Sequence, residues 1–130
     1  IRYKDKIEEI WTRNVGGEVN DIRHGDFNND GQNEILVGTE GFQFYVLNEA
    51  GNTVFRKTLK DRVLKVEGYR HQGKAYYLAA TAQGWLYTFS EKGELERSVQ
   101  FPSEISDILV QNGNSDPRIV LGNGDVYRIE

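Results

Sequence analysis

The sequence predicts an all-β chain, a partial β-propeller of about three four-stranded blades, and three observations carry that prediction. Tyrosines opening a Tyr-x-Leu, Tyr-x-Phe or Tyr-x-Ile run recur at Tyr45, Tyr87 and Tyr127, 42 and then 40 residues apart. Upstream of each stands the same apolar pair: Val19 with Ile22, Val63 with Val66, Ile105 with Ile108. Between pair and tyrosine lies an apolar run, at 35–38, 77–80 and 119–122. Units of about 40–45 residues that hold four short strands are the size of propeller blades.

Within each unit the Tyr-x-Leu type of alternation has period two, and β-branched and aromatic residues dominate, which is strand chemistry. Turn residues separate the runs at Gly16-Gly17, Asn29-Asp30-Gly31, Gly51-Asn52, Lys92-Gly93, Asn112-Gly113 and Asn123-Gly124. Blade one therefore covers 18–59, with strands a to d near 18–24, 34–39, 42–48 and 53–59. Blade two covers 62–101, with strands near 62–69, 75–81, 85–90 and 95–101. Blade three covers 105–130 and offers only strands a to c, near 105–111, 118–122 and 125–129. At the other end, the segment from Ile7 to Val15 reads as a lone d strand. Its Trp11 precedes Val19 by the same eight residues that separate Phe55 from Val63.

An unpaired d strand first and a missing one last is the pattern of a propeller closed by strand exchange, which hides open sheet edges. Two arrangements satisfy it. Two copies form a six-bladed ring, with residues 7–15 of each completing the other's third blade, or the chain is a slice of a longer propeller.

Composition narrows the function classes. A 38% hydrophobic and 28% charged sequence of 130 residues can form a core, so disorder is not the expectation. No run approaches the roughly 18 apolar residues of a membrane helix, so no membrane insertion is expected. With net charge −4 and no basic stripe, nucleic acid is not the expected partner either. The absence of cysteine removes disulfides, thiolate metal sites and cysteine nucleophiles. The chain has no Met and begins at Ile1, which reads as a processed or excised piece of something longer. An extracellular, cell-surface or periplasmic location fits that reading.

Chemistry concentrates between strands a and b of blade one, in Asp26-Phe27-Asn28-Asn29-Asp30-Gly31-Gln32-Asn33-Glu34. Oxygen side chains at alternate positions Asp26, Asn28 and Asp30 can converge on one cation as the chain curls, and Gly31 permits the sharp bend. Gln32 offers a backbone carbonyl, and Glu34 stands where it could close the shell. Three carboxylates and an amide form a hard oxygen site suited to Ca²⁺ and unsuited to Zn²⁺. Asn-Asp-Gly is equally a good hairpin turn, so a solvated acidic turn is the competing reading.

The stretch from His24 to Gly41, with Gly-Asp-Phe-Asn-Asn-Asp-Gly-Gln-Asn-Glu-Ile-Leu-Val-Gly-Thr, resembles the FG-GAP or VCBS-type repeats of integrin α-like propellers. That resemblance implies a calcium loop with ligands at Asp26, Asn28, Asp30, Gln32 through its main chain, and Glu34. The Tyr-x-Leu and Gly-x-x-Tyr features are similar to blades of quinoprotein-like propellers. The metal motif occurs once, since Tyr69–Lys74 and the stretch 111–117 lack the acidic spacing.

Other candidates read as structural. His24 and His71, the only histidines, fall late in strand a and in the a–b connection and read as solvated rather than as a shared metal site. No serine has a nucleophile-elbow context, and Gly16-Gly17 precedes no helix. Asp21 and Asp107 share a repeat position and read as structural hydrogen-bond acceptors. Trp85 follows the b–c turn and belongs to core or rim. The sequence thus predicts a non-enzymatic protein-interaction or scaffold module, with no catalytic centre and one structural Ca²⁺ loop. Its alternatives are a fragment of a propeller enzyme, such as a quinoprotein-like dehydrogenase or polysaccharide lyase, and a self-assembling structural subunit.

Overall fold

A computed structural model of the chain describes residues 9–111 and 116–129. Among the described residues eleven strands form three antiparallel sheets, and the chain is a partial β-propeller. The first sheet holds β1 (Val19–Gly25), β2 (Glu34–Thr39), β3 (Gln43–Asn48) and β4 (Thr53–Thr58) in sequence order. The second holds β5 (Val63–His71), β6 (Lys74–Thr81), β7 (Trp85–Ser90) and β8 (Leu95–Gln100). The third holds β9 (Ile105–Leu109), β10 (Arg118–Leu121) and β11 (Val126–Arg128).

The pairing repeats as the sequence does. Ile22 faces Val37, which faces Tyr45. Val66, Ala79 and Tyr87 form the same row in the second blade, and Ile108, Ile119 and Tyr127 in the third. Each innermost strand also carries one extra residue at the same place, Asn20, Leu64 or Ser106, where the register shifts. Such a bulge bends the strand and sharpens its twist.

Burial follows from stacking sheets face to face. The middle strands β2 and β3 are buried almost throughout, because a neighbour covers each face, whereas the outer β4 and β8 alternate or lie open. One seam joins blades one and two through Leu36, Phe44, Val46, Val63, Val66, Tyr77, Ala79 and Phe89. Inside it Phe44 stacks on Phe89 with ring centroids 5.7 Å apart. The next seam joins blades two and three through Leu78, Ala80, Leu86, Ile105, Ile108, Ile119 and Leu121.

The two end faces differ. Val19 and Ile22 are 47% and 54% exposed, although their repeat equivalents Val63, Val66, Ile105 and Ile108 are at most 5% exposed. Among the described residues no further sheet covers them. On the far face of blade three, Arg118 and Arg128 occupy the register positions of Leu36 and Val46 in blade one. That face mixes two arginines with the exposed Val126, where the others are apolar.

Residues 9–15 form no strand within this chain, where the d strand expected over 7–15 would pair with a neighbouring or exchanged blade; Ile7 and Glu8 lie outside the described residues. A strand needs a ladder partner, and no described strand lies alongside this segment. The segment nevertheless fills the d-strand position. Trp11 and Val15 pack on Val37, Tyr45 and Leu47, as Phe55 and Leu59 pack in the first seam. The Trp11 ring would stand 2.7 Å from a Cβ added at Gly51, and the Phe55 ring 2.8 Å from one at Gly93. Trp11 donates its indole N–H to the Glu49 carbonyl at 2.9 Å, and Arg13 reaches the Gly51 carbonyl and the Thr53 hydroxyl.

Candidate metal-binding loop

The chain leaves β1 at Gly25 and re-enters the sheet at Glu34, and the eight residues between are folded by their own side chains. Asn29 and Gly31 take positive φ, 60° and 88°, curling the backbone so that alternate side chains point inward. The Asp26 carboxylate accepts the amides of Asp30 (3.0 Å) and Gly31 (2.9 Å). Asn28 Oδ1 accepts the Asp30 amide at 3.3 Å, and Asp30 Oδ1 accepts the Gln32 amide at 2.9 Å. Glu34, only 6% exposed, takes the amides of Phe27 (3.0 Å) and Asn28 (3.4 Å) on Oε1.

Carboxylate oxygens of Asp26, Asp30 and Glu34 lie within 4.8 Å of one another. Around a calcium ion with bonds of about 2.3–2.6 Å, opposite ligands stand roughly 4.6–5.2 Å apart, so this clustering fits one such ion. The donors are all hard oxygens and number enough for most of a shell. Among the described residues no other group of three acidic or histidine side chains gathers this way. Burial raises the Glu34 pKa above its ordinary value; the amides of Asn28 and Phe27 oppose the rise, and the charges of Asp30 and Asp26 add to it.

Of the five predicted ligands, the fold brings Asp26, Asp30 and Glu34 together, and Asn28 joins through its bond to the Asp30 amide. Gln32 contributes its amide to Asp30, on the rim of the cluster. Three residues of the site were not found by sequence reasoning. Phe27, the variable second position of the motif, turns its ring into the first seam and meets Tyr77 edge-on at 6.2 Å. Gly68 in β5 makes room for that ring, since a Cβ there would lie 2.5 Å from Phe27 Cδ1. Arg70 reaches across from blade two to the carbonyls of Asp26 (3.1 Å) and Phe27 (3.4 Å). A glycine inside a strand, as at 68, is the available signal of close approach.

The remaining candidates take structural partners. Asp21 accepts the Val66 amide at 3.0 Å and so ties blade one to blade two, while Asp107 accepts the Ile108 amide at 2.9 Å. His24 contacts Asn33, and His71 faces Asp116 at 3.5 Å. Trp85 stacks on Tyr87. A separate groove of about 650 Å³ runs beside blade three, with Arg23, Glu67, Asp107, Asp116, Arg118 and Arg128 in its wall.

Residues 1–125 match the λ-carrageenase β-propeller domain family. The chain belongs to that family. No curated protein matches the sequence. As a λ-carrageenase-type propeller domain it is similar in fold to two crystal structures of BBS1N in complex with ARL6DN. The mercury-soaked form gives TM-score 0.65 and 15% identity, over 88% of this chain and 38% of that one. The lead-soaked form gives 0.64 and 15%, over 83% and 33%. At that identity the likeness is one of fold alone, and the chain spans well under half the length of these neighbours.

Proposed function

We propose that this chain is a non-enzymatic scaffold stretch of a propeller, offering a rigid face to a protein partner, with one structural Ca²⁺ in the loop after β1. The observation that carries the metal part is the convergence of Asp26, Asp30 and Glu34 oxygens within 4.8 Å. The FG-GAP or VCBS-type resemblance of residues 24–41 supports the same ligand set, with Asn28 and the Gln32 carbonyl completing it. Held together, three carboxylates repel one another, and a divalent cation removes that repulsion while fixing the turn. Stabilisation of about 2.7 kcal/mol follows when free ion stands at a hundred times Kd. Extracellular Ca²⁺ modules bind at about 0.1–1 mM, which suits the expected location outside the cytoplasm.

Calorimetric titration with CaCl₂ tests the metal part. One site per chain is expected in the wild type and none in Asp30→Ala. Absence of heat and of any thermal upshift at about 10 mM Ca²⁺, well above that range, sinks it.

The family's name favours a second reading, in which the propeller belongs to a polysaccharide-cleaving enzyme. Glu67, Asp107 and Asp116 in the groove beside blade three are the acidic groups such a reading uses, because glycoside cleavage employs paired carboxylates. Incubation with λ-carrageenan, followed by a reducing-end assay, separates the two. Release of reducing ends by this chain, abolished in Glu67→Gln, replaces the scaffold reading with the enzymatic one.

Self-association through exchange of residues 7–15 is the less favoured assembly. It would set the charged Arg118 and Arg128 positions of one copy against the apolar Ile22 side of the other, and taking charge out of water is costly.

A further inference from the structure

We infer that the loop after β1 is a clasp between blades one and two, so that cation occupancy tightens the seam between the sheets as well as the turn. The inference rests on the Ca²⁺ reading above and adds what the chain does with the ion.

Glu34 joins the oxygen cluster to the loop backbone. Its carboxylate belongs to the oxygen cluster, and its Oε1 accepts the Phe27 amide at 3.0 Å. Fixing that carboxylate therefore fixes the backbone from which the Phe27 ring projects. The ring leaves its own blade and lies over Gly68, in contact with the edge of Tyr77, both in blade two. One residue earlier, the Asp26 carbonyl accepts Arg70 of blade two at 3.1 Å, while the Asp26 side chain faces the cluster.

Two neighbouring loop residues thus each hold the cluster with one group and blade two with another. A turn that served only its own hairpin would need neither contact. The connection after β5 is the short turn Gln72-Gly73, and Tyr69 and Tyr76 stack at the next seam instead. Blade two thus closes its forward seam with two strand tyrosines, and blade one with a loop phenylalanine.

Because binding couplings are reciprocal, loosening the blade-two contacts must weaken the cation if the clasp is real. The test uses wild type, Arg70→Met and Phe27→Leu, none of which alters an oxygen donor side chain, with Asp30→Ala as the binding-dead control. Ca²⁺ affinity is measured by calorimetry and amide hydrogen exchange is followed with and without 5 mM Ca²⁺ (about five times the weakest expected Kd). In the wild type, Ca²⁺ is expected to slow exchange in the loop and also at 66–70 of β5. Arg70→Met is expected to bind about fivefold more weakly, the low end of ordinary coupling, and to lose the β5 protection while keeping that of the loop.

Ca²⁺ binding with protection confined to the loop, or with equal affinity in all three donor-intact proteins, overturns the clasp and leaves the metal site standing. No binding by the wild type overturns both. Should Phe27→Leu fail to fold, Arg70→Met alone still decides, since that side chain is partly exposed and its stem is kept.

Discussion

Gly68→Ala is a one-methyl change whose cost can be worked from geometry. The added Cβ would meet Phe27 Cδ1 at 2.5 Å and Cγ at 2.7 Å. Carbon atoms pack favourably at about 3.5–4.0 Å, so ring and strand must separate by roughly 1 Å. The ring cannot swing aside freely, because its backbone amide is held by Glu34 and its edge rests on Tyr77. Overpacking of this kind costs about 1–3 kcal/mol. Against it stands the lost backbone freedom of the unfolded chain, which favours alanine over glycine by about 0.4–1 kcal/mol. The net expectation is a loss of between about 0 and 2.6 kcal/mol in urea unfolding. Gly25→Ala is the control, because its Cβ meets the same ring at 3.4 Å, near ordinary contact. The double-mutant cycle with Phe27→Ala decides the cause. With the ring gone, Gly68→Ala should become neutral or slightly stabilising. A penalty that persists in the Phe27→Ala background would refute the steric argument.

Further expectations follow from repeat equivalence and charge. Val66→Ala should cost about 1–2.5 kcal/mol by chemical denaturation, as a buried core truncation does. Ile22→Ala, at the same repeat position but half exposed, should cost under about 1 kcal/mol, since most of its transfer gain is absent. Leu78→Ala, fully buried at the second seam, should cost about 2–5 kcal/mol and lower the thermal midpoint accordingly. Glu67 has its pKa raised by burial, against the opposing Gly68 amide and Arg23 charge. A carboxyl raised in the folded state adds stability below its unfolded pKa of 4.5, and that contribution is lost as pH rises through the folded value. Glu67→Gln should therefore flatten the decline in unfolding free energy between pH 4.5 and neutrality, and an unchanged slope would show that another group causes it.

Much of this architecture is legible in the sequence because the repeat and the strand period reinforce each other. The run from Glu34 to Thr39 is bounded by a turn on each side, and β2 occupies it to the residue. Tyr45, Tyr87 and Tyr127 align in the ladder as they do in the sequence. Residues 9–15 form no strand in the chain by itself, since local pattern dictates where Trp11 sits but a ladder needs a neighbour. The oxygen cluster was legible because its residues are local. Phe27 was not, since its partner Gly68 stands 41 residues downstream and the motif treats the second position as filler. Arg118 and Arg128 pass unnoticed for a related reason: period-two alternation tells which side a residue faces, and not whether that side meets another sheet.

The seating of Trp11 on Gly51 and of Phe55 on Gly93 has a consequence for how such chains are cut and joined. The hairpins at Gly51 and Gly93 are each roofed by an aromatic from upstream, Trp11 from the segment before β1 and Phe55 from β4, the outermost strand of the previous sheet. The module that can be transplanted with its packing intact therefore starts at one sheet's outermost strand and stops after the turn that follows the third strand of the next. Grafts or duplications spliced at the visible gap between sheets would leave every such roof paired with the wrong floor.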